Sequence, residues 1–147
     1  MRKVLAVLLL LIFMLGCSEF MKRMAVKNLH FELAKVNLIN YTPSDMTLKV
    51  DIDAENPNDI DGVIDRLEYT FLINNKDAVS GKTLNKVVVK AGEKKTFSTL
   101  LSINYLKLGT AVLNAVKSKK ANYRLNGKVY MDTQIASIVF PVELFYP

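Results

Sequence analysis

Cys17 is the only cysteine in this 147-residue chain, and it stands directly after an apolar N-terminal run. A lone cysteine has no internal partner for a disulfide, and a structural metal site needs several ligands. The other residues able to do chemistry are few. His30 is the single histidine and falls on the polar phase of its segment, so it reads as a surface residue. The stretch "DIDAENPNDID" holds Asp51, Asp53, Glu55, Asn58, Asp59 and Asp61. Hard cations favour such oxygens. The first three share one strand face, however, and the ligand order and glycine of a calcium loop are missing, which points to a solvated acidic edge. Ser80-Gly81 lacks a nucleophile elbow, and no phosphate loop or dinucleotide fingerprint occurs. These residues predict no catalytic group, no metal and no cofactor, and therefore a protein that is not an enzyme.

The use of Cys17 follows from what precedes it. "MRKVLAVLLLLIFMLGC" begins with Arg2 and Lys3, then runs uncharged from Val4 to Gly16. That run is shorter than the roughly 20 residues needed to span a bilayer and has the length of a signal-peptide core. The stretch resembles a bacterial lipoprotein signal with its lipobox. Gly16 sits at the cleavage position, Leu15 is tolerated, and Met14 stands where leucine is usual. The resemblance implies that residues 1–16 are removed and that the Cys17 thiol receives a diacylglyceryl group. The new N-terminus then takes a further acyl chain. Membrane lipid is thus an expected partner, reached through the acylated Cys17. Two or more chains anchor firmly, at about 0.8 kcal/mol per buried CH₂. An anchoring cysteine needs no second cysteine. Ser18 in place of aspartate implies, by the same resemblance, the periplasmic face of an outer membrane over the inner one in a two-membrane envelope.

Residues 17–27 form a short tether without a Gly/Ser/Pro-rich spacer. Ten extended residues reach at most about 33 Å, which keeps the domain near its membrane. Formal net charge is +6, and without Arg2 and Lys3 it is +4. The basic residues are scattered and not interleaved with aromatics, so a nucleic-acid partner is not expected. The short clusters are Lys22-Arg23, Lys94-Lys95 and Lys117 to Lys120. They read as solvated surface, with attraction to anionic head groups as the sharper option.

From residue 28 onward the apolar period is two. Leu48, Val50, Ile52 and Ala54 alternate with Lys49, Asp51, Asp53 and Glu55, as in a strand with one wet face. The "NPND" stretch ends it. Leu67, Tyr69, Phe71 and Ile73 form another face, followed by the "NNKD" turn and a short strand to Gly81. "LNKVVVK" and "TFSTLLSIN" flank a turn at Ala91-Gly92. Tyr123, Leu125, Gly127, Val129 and Met131 alternate, as do Ala136, Ile138, Phe140, Val142 and Leu144. Pro141 points outward or marks an edge. The first strand alternates through Leu29, Phe31 and Leu33, then resumes at Val36 and Leu38, which predicts a bulge. One segment differs. "NYLKLGTAVLNAVKSKK" has helical spacing through Leu108, Val112 and Val116, with Gly109 weakening its middle. The expected fold is mainly β. It is an antiparallel sandwich of about seven strands over residues 28–147, with one helix before the last two strands.

The strand ending at Asn56-Pro57-Asn58, the Ile73-Asn74-Asn75 turn, Gly81, the Ala91-Gly92 turn and "YRLNGKV" through Gly127 occur in an order that resembles the late embryogenesis abundant group 2 proteins. These share the WHy domain (water stress and hypersensitive response). The resemblance implies an immunoglobulin- or fibronectin-like sandwich with one helix, protection under desiccation, and no assigned catalytic residue. Several bacterial members are lipoproteins or periplasmic. The expected function is a membrane-anchored stress-protection domain at the cell envelope. Two alternatives stand beside it. One is an apolar-ligand module with a groove between helix and sheet, lined by Leu106, Leu108 and Val112 and taking a lipid. The other is an accessory subunit that docks on an envelope protein complex through a strand edge.

Overall fold

The computed structural model describes residues 29–83, 85–132 and 137–147. Cys17, Gly16 and the tether lie outside them, as does Ala136. Strands β1 (His30–Tyr41) and β2 (Asp45–Glu55) form an antiparallel hairpin. The period of two does its expected work in β2. Leu48, Val50, Ile52 and Ala54 are all buried, while Glu55 is exposed and Asp51 and Asp53 are half-buried. Then come β3 (Gly62–Ile64), β4 (Arg66–Ile73), β5 (Lys76–Lys82), β6 (Val87–Val89) and β7 (Lys94–Asn104). A 3-10 turn (Tyr105–Lys107), helix α1 (Thr110–Lys117), β8 (Tyr123–Asp132) and β9 (Ser137–Tyr146) complete the order.

The strands make sheets ordered β1-β2-β7 and β5-β4-β8-β9, with β3 and β6 paired separately. Every pairing is antiparallel. The two larger sheets cover a shared core, so the architecture is the expected sandwich with its helix before the last two strands. Nine strands are present among the described residues. The additional β3 lies in "DGVID", where three residues are too few to display a period. β9 is an edge strand, where a proline is tolerated, and Pro141 stands opposite Lys128 in mid-ladder. The anticipated bulge appears between Leu33 and Lys35, and a second slip occurs between Leu38 and Asn40.

The helical segment needs a correction. It is not one helix weakened by Gly109. Gly109 adopts φ +96°, a conformation that side-chain-bearing residues avoid, and the chain breaks there. Tyr105–Lys107 forms the 3-10 turn, capped by the Asn104 side chain, and α1 starts only at Thr110. Lys119 closes the helix in the left-handed region at φ +55°, and the Lys120 amide donates to the Ala115 carbonyl at 2.9 Å.

Two clusters make the core. One, at the helix end, gathers Met46, Leu48, Phe71, Ile73, Ile103, Leu108, Val112 and Tyr123. The other, at the opposite end, holds Leu29, Ala54, Ile64, Leu67, Val89 and Met131. Both large sheets and α1 contribute side chains to this core. Pairing of His30 with Glu55, and of Tyr41 with Met46, fixes the chain's direction. The polypeptide enters at the end opposite α1. Among the described residues no helix is long and apolar enough to cross a membrane.

Candidate functional site

The end where the chain enters is organised around Asn56. Proline after it holds the residue extended, and an asparagine there can bond its own turn. Asn56 is fully buried. Its Nδ2 donates to the carbonyls of Ile60 and Val89, both at 2.9 Å. Its Oδ1 accepts from the Asn58 amide at 3.1 Å and from Asn58 Nδ2 at 2.7 Å. Its backbone N–H donates to Glu93 O, and its carbonyl accepts from the Gly92 amide, both at 2.9 Å. Gly92 has φ +68°, which the turn into β7 requires. Pro57 is exposed. One side chain therefore joins the loop after β2, the end of β6 and the turn into β7. Nothing in this cluster pairs a nucleophile with a base. It holds structure.

The acidic residues beside it are engaged across the sheet. Thr96 donates to Asp53 at 2.7 Å and Ser98 to Asp51 at 2.6 Å. Lys94 lies 3.1 Å from Asp53. The Thr96 hydroxyl, and then Lys94, hold the Asp53 carboxyl below the usual carboxylate range. Asp61 accepts from the Ala91 amide at 3.0 Å. His30 is exposed.

A groove of about 580 Å³ lies at the other end, between the last turn of α1, β1 and the end of β9. Val36, Leu38, Val116 and Ala121 give it apolar walls, Tyr123 and Tyr146 its floor, and Lys35, Lys117 and Lys119 its rim. The two tyrosine rings are 6.1 Å apart. Burial, then the neighbouring Tyr146, pushes the Tyr123 hydroxyl up. Lys117 Nζ sits 4.4 Å over the Tyr41 ring and donates to its hydroxyl at 3.2 Å. The bulge before Lys35 shifts β1 by one residue here, so Lys35 and its neighbours reach the groove. Ammonium groups beside apolar walls suit an anionic amphiphile.

A family model described as late embryogenesis abundant protein matches residues 51–144. The chain belongs to the late embryogenesis abundant family. A solution structure from Arabidopsis thaliana is similar at TM-score 0.61 and 14% identity, covering 79% of this chain and 78% of that one. A second solution structure, of a protein assigned to the late embryogenesis abundant group, is similar at TM-score 0.52 and 14% identity, covering 99% and 86%. At such identities the likeness concerns the fold. No curated protein matches the sequence.

The residues that carried the resemblance fall into two groups. Asn56, Pro57, Asn58 and Gly92 meet at the entering end. Gly81 and Gly127 instead flank Tyr69 in register across β5-β4-β8. A Cβ on Gly127 would lie 2.9 Å from Leu67 Cδ1 and 3.0 Å from the Glu68 carbonyl, and one on Gly81 would strike the Tyr69 hydroxyl at 2.7 Å. Both glycines admit neighbours to the sheet's packed face. Of the three residues expected to line a groove, Leu108 and Val112 are buried in the core, whereas Leu106 is 52% exposed. The three do not share one surface. The groove beside α1 uses later residues, and the sequence signals for it were the lysine run 117–120 and the alternation that places Tyr123 inward.

Proposed function

We propose that this chain is a membrane-anchored, non-enzymatic lipoprotein whose late embryogenesis abundant domain, of the group 2 or WHy type, protects the cell envelope during water loss. The family match over residues 51–144 carries this proposal. The lipobox-like leader supports a location at the periplasmic face of an outer membrane, through acylated Cys17. The domain displays polar strand faces whose carboxylates and hydroxyls bond across strands, as at Asp51–Ser98 and Asp53–Thr96. Such a surface stays ordered by its own bonds when bulk water is removed. Anchoring is tested by fractionation in the host. Cys17→Ser is expected to move most of the protein out of the washed membrane pellet and to abolish acyl incorporation. Unchanged retention, with no acyl group on the wild type, would remove the lipoprotein part of the proposal.

A second reading is favoured by the groove beside α1, with its lysine rim and apolar walls. In it the domain holds a single-chain anionic lipid. Mass spectrometry of residues 18–147, purified under native conditions, is expected to find about one lipid per chain, lowered by Val116→Glu. A folded domain free of lipid would leave surface protection alone, or docking on an envelope protein through a strand edge.

A further inference from the structure

The domain's charge is unevenly placed. Residues 105–120 include Lys107, Lys117, Lys119 and Lys120 and no acid. The β4–β5 turn brings Lys76 to the same end, where its ammonium donates to the Leu108 carbonyl at 3.0 Å. Lys35 borders the groove there. Asp45 and Asp77 lie on the adjoining turns and Asp51 stands opposite Lys35 in the β1–β2 ladder, so six lysines face three aspartates. Elsewhere in residues 29–147 the charges nearly balance, with nine cations against ten acids. The basic end also exposes large apolar side chains, Tyr41 at 49% and Leu106 at 52%.

We infer that this helix end is a docking surface for an anionic lipid bilayer. Lysines carry their charge on long apolar stems, and tyrosine combines an apolar body with a polar tip. That pairing suits the head-group layer, where anionic lipid attracts the ammonium groups and leucine reaches below them. The four lysines after β7 are all exposed and lie within residues 107–120, on the turn and helix that close this end of the domain. The chain enters the domain at the far end of β1, twelve residues away. At ~3.3 Å per residue the docking surface is about 40 Å from that point. A tether of at most about 33 Å lets this end meet the bilayer that holds Cys17 only when the domain lies along it, and the inference itself does not depend on acylation.

The test is co-sedimentation of residues 18–147 with vesicles of phosphatidylcholine alone, or with about a third phosphatidylglycerol. Binding is expected only to the anionic vesicles and to weaken as salt is raised. Combining Lys107→Gln, Lys117→Gln, Lys119→Gln and Lys120→Gln is expected to lower the partition coefficient at least about a hundredfold, since each lysine near such a surface contributes roughly a fivefold factor. The same change at Lys49, Lys82, Lys90 and Lys128 serves as the control and is expected to leave most of the binding. Melting curves of both variants establish that they fold. Absence of binding, equal binding to neutral vesicles, equal loss in both variants, or preference for soluble heparin over the vesicles would each overturn the inference.

Discussion

Asn56→Ala is expected to destabilise the domain by about 3–4 kcal/mol, because a buried polar group left without its partner costs about 1–3 kcal/mol. The substitution removes the donor to two carbonyls, Ile60 O and Val89 O, and the acceptor for the Asn58 amide. The site is fully buried, so water is not at hand to replace them. For a domain of this size the loss corresponds to a fall in Tm of roughly 12–16 °C. Thermal unfolding followed by circular dichroism measures it. Asn56→Asp makes the explanation more specific. A carboxylate keeps the acceptor for Asn58 but faces two carbonyls with no donor. It is expected to be at least as destabilising at neutral pH as alanine, and to recover part of the loss as acid protonates it. If Asn56→Ala melted within a few degrees of wild type, the buried network would not be what holds this end together.

Phe71→Ala is the second large effect, expected to cost about 3–5 kcal/mol, the usual range for emptying a phenylalanine site in a core. Phe71 is completely buried. It lies between Val79 of β5 and Leu125 of β8 in register, and its ring stacks on Tyr123 at 5.9 Å. The surrounding side chains come from both sheets and from α1, which cannot all move inward together, so a cavity would remain. Urea unfolding is the measurement, with a lower midpoint and an unchanged slope as the expected pattern. Phe145→Ala is the control. That ring is 58% exposed, with Arg124 4.6 Å above it, and its removal is expected to change stability by about 0.5 kcal/mol or less. Equal losses at the two positions would show that the core is placed wrongly.

The contrast between these two residues shows what the sequence makes legible. Phe71 belongs to an alternation, Leu67-Tyr69-Phe71-Ile73, and a period of two is enough to turn it inward. The same rule exposes the slip after Leu33, because the apolar phase changes visibly there. Pro141 left β9 either at an edge or with the proline pointing outward, and the sheet order makes it an edge strand. Asn56 is different. Its place before a proline marks a turn, but its main partners are the carbonyls of Val89 and Glu93, more than thirty residues further on. No local pattern reports on a bond of that range. The groove was hidden for the same reason. Val36, Val116 and Tyr146 come from three distant elements, and their meeting depends on how β9 closes against β1. In the helical segment the spacing of Leu108, Val112 and Val116 gave the buried face correctly. It could not reveal that Gly109 takes a positive φ and divides the segment, nor that Leu106 consequently faces solvent. Three-residue β3 had too little length to register.

In the function proposed above, this is a shielding or binding domain held at its membrane through acylated Cys17. The central claim is protection at the envelope during drying. The most direct measurement is survival of the host after controlled drying and rehydration, compared among the parent, a strain lacking the gene, and a strain carrying Cys17→Ser at the native locus. The account predicts markedly lower survival without the gene. It predicts a comparable loss with Cys17→Ser, despite normal amounts of folded protein, because protection requires the domain to stay at its membrane. Survival of the gene-less strain equal to that of the parent, across drying and osmotic shock, would contradict the account.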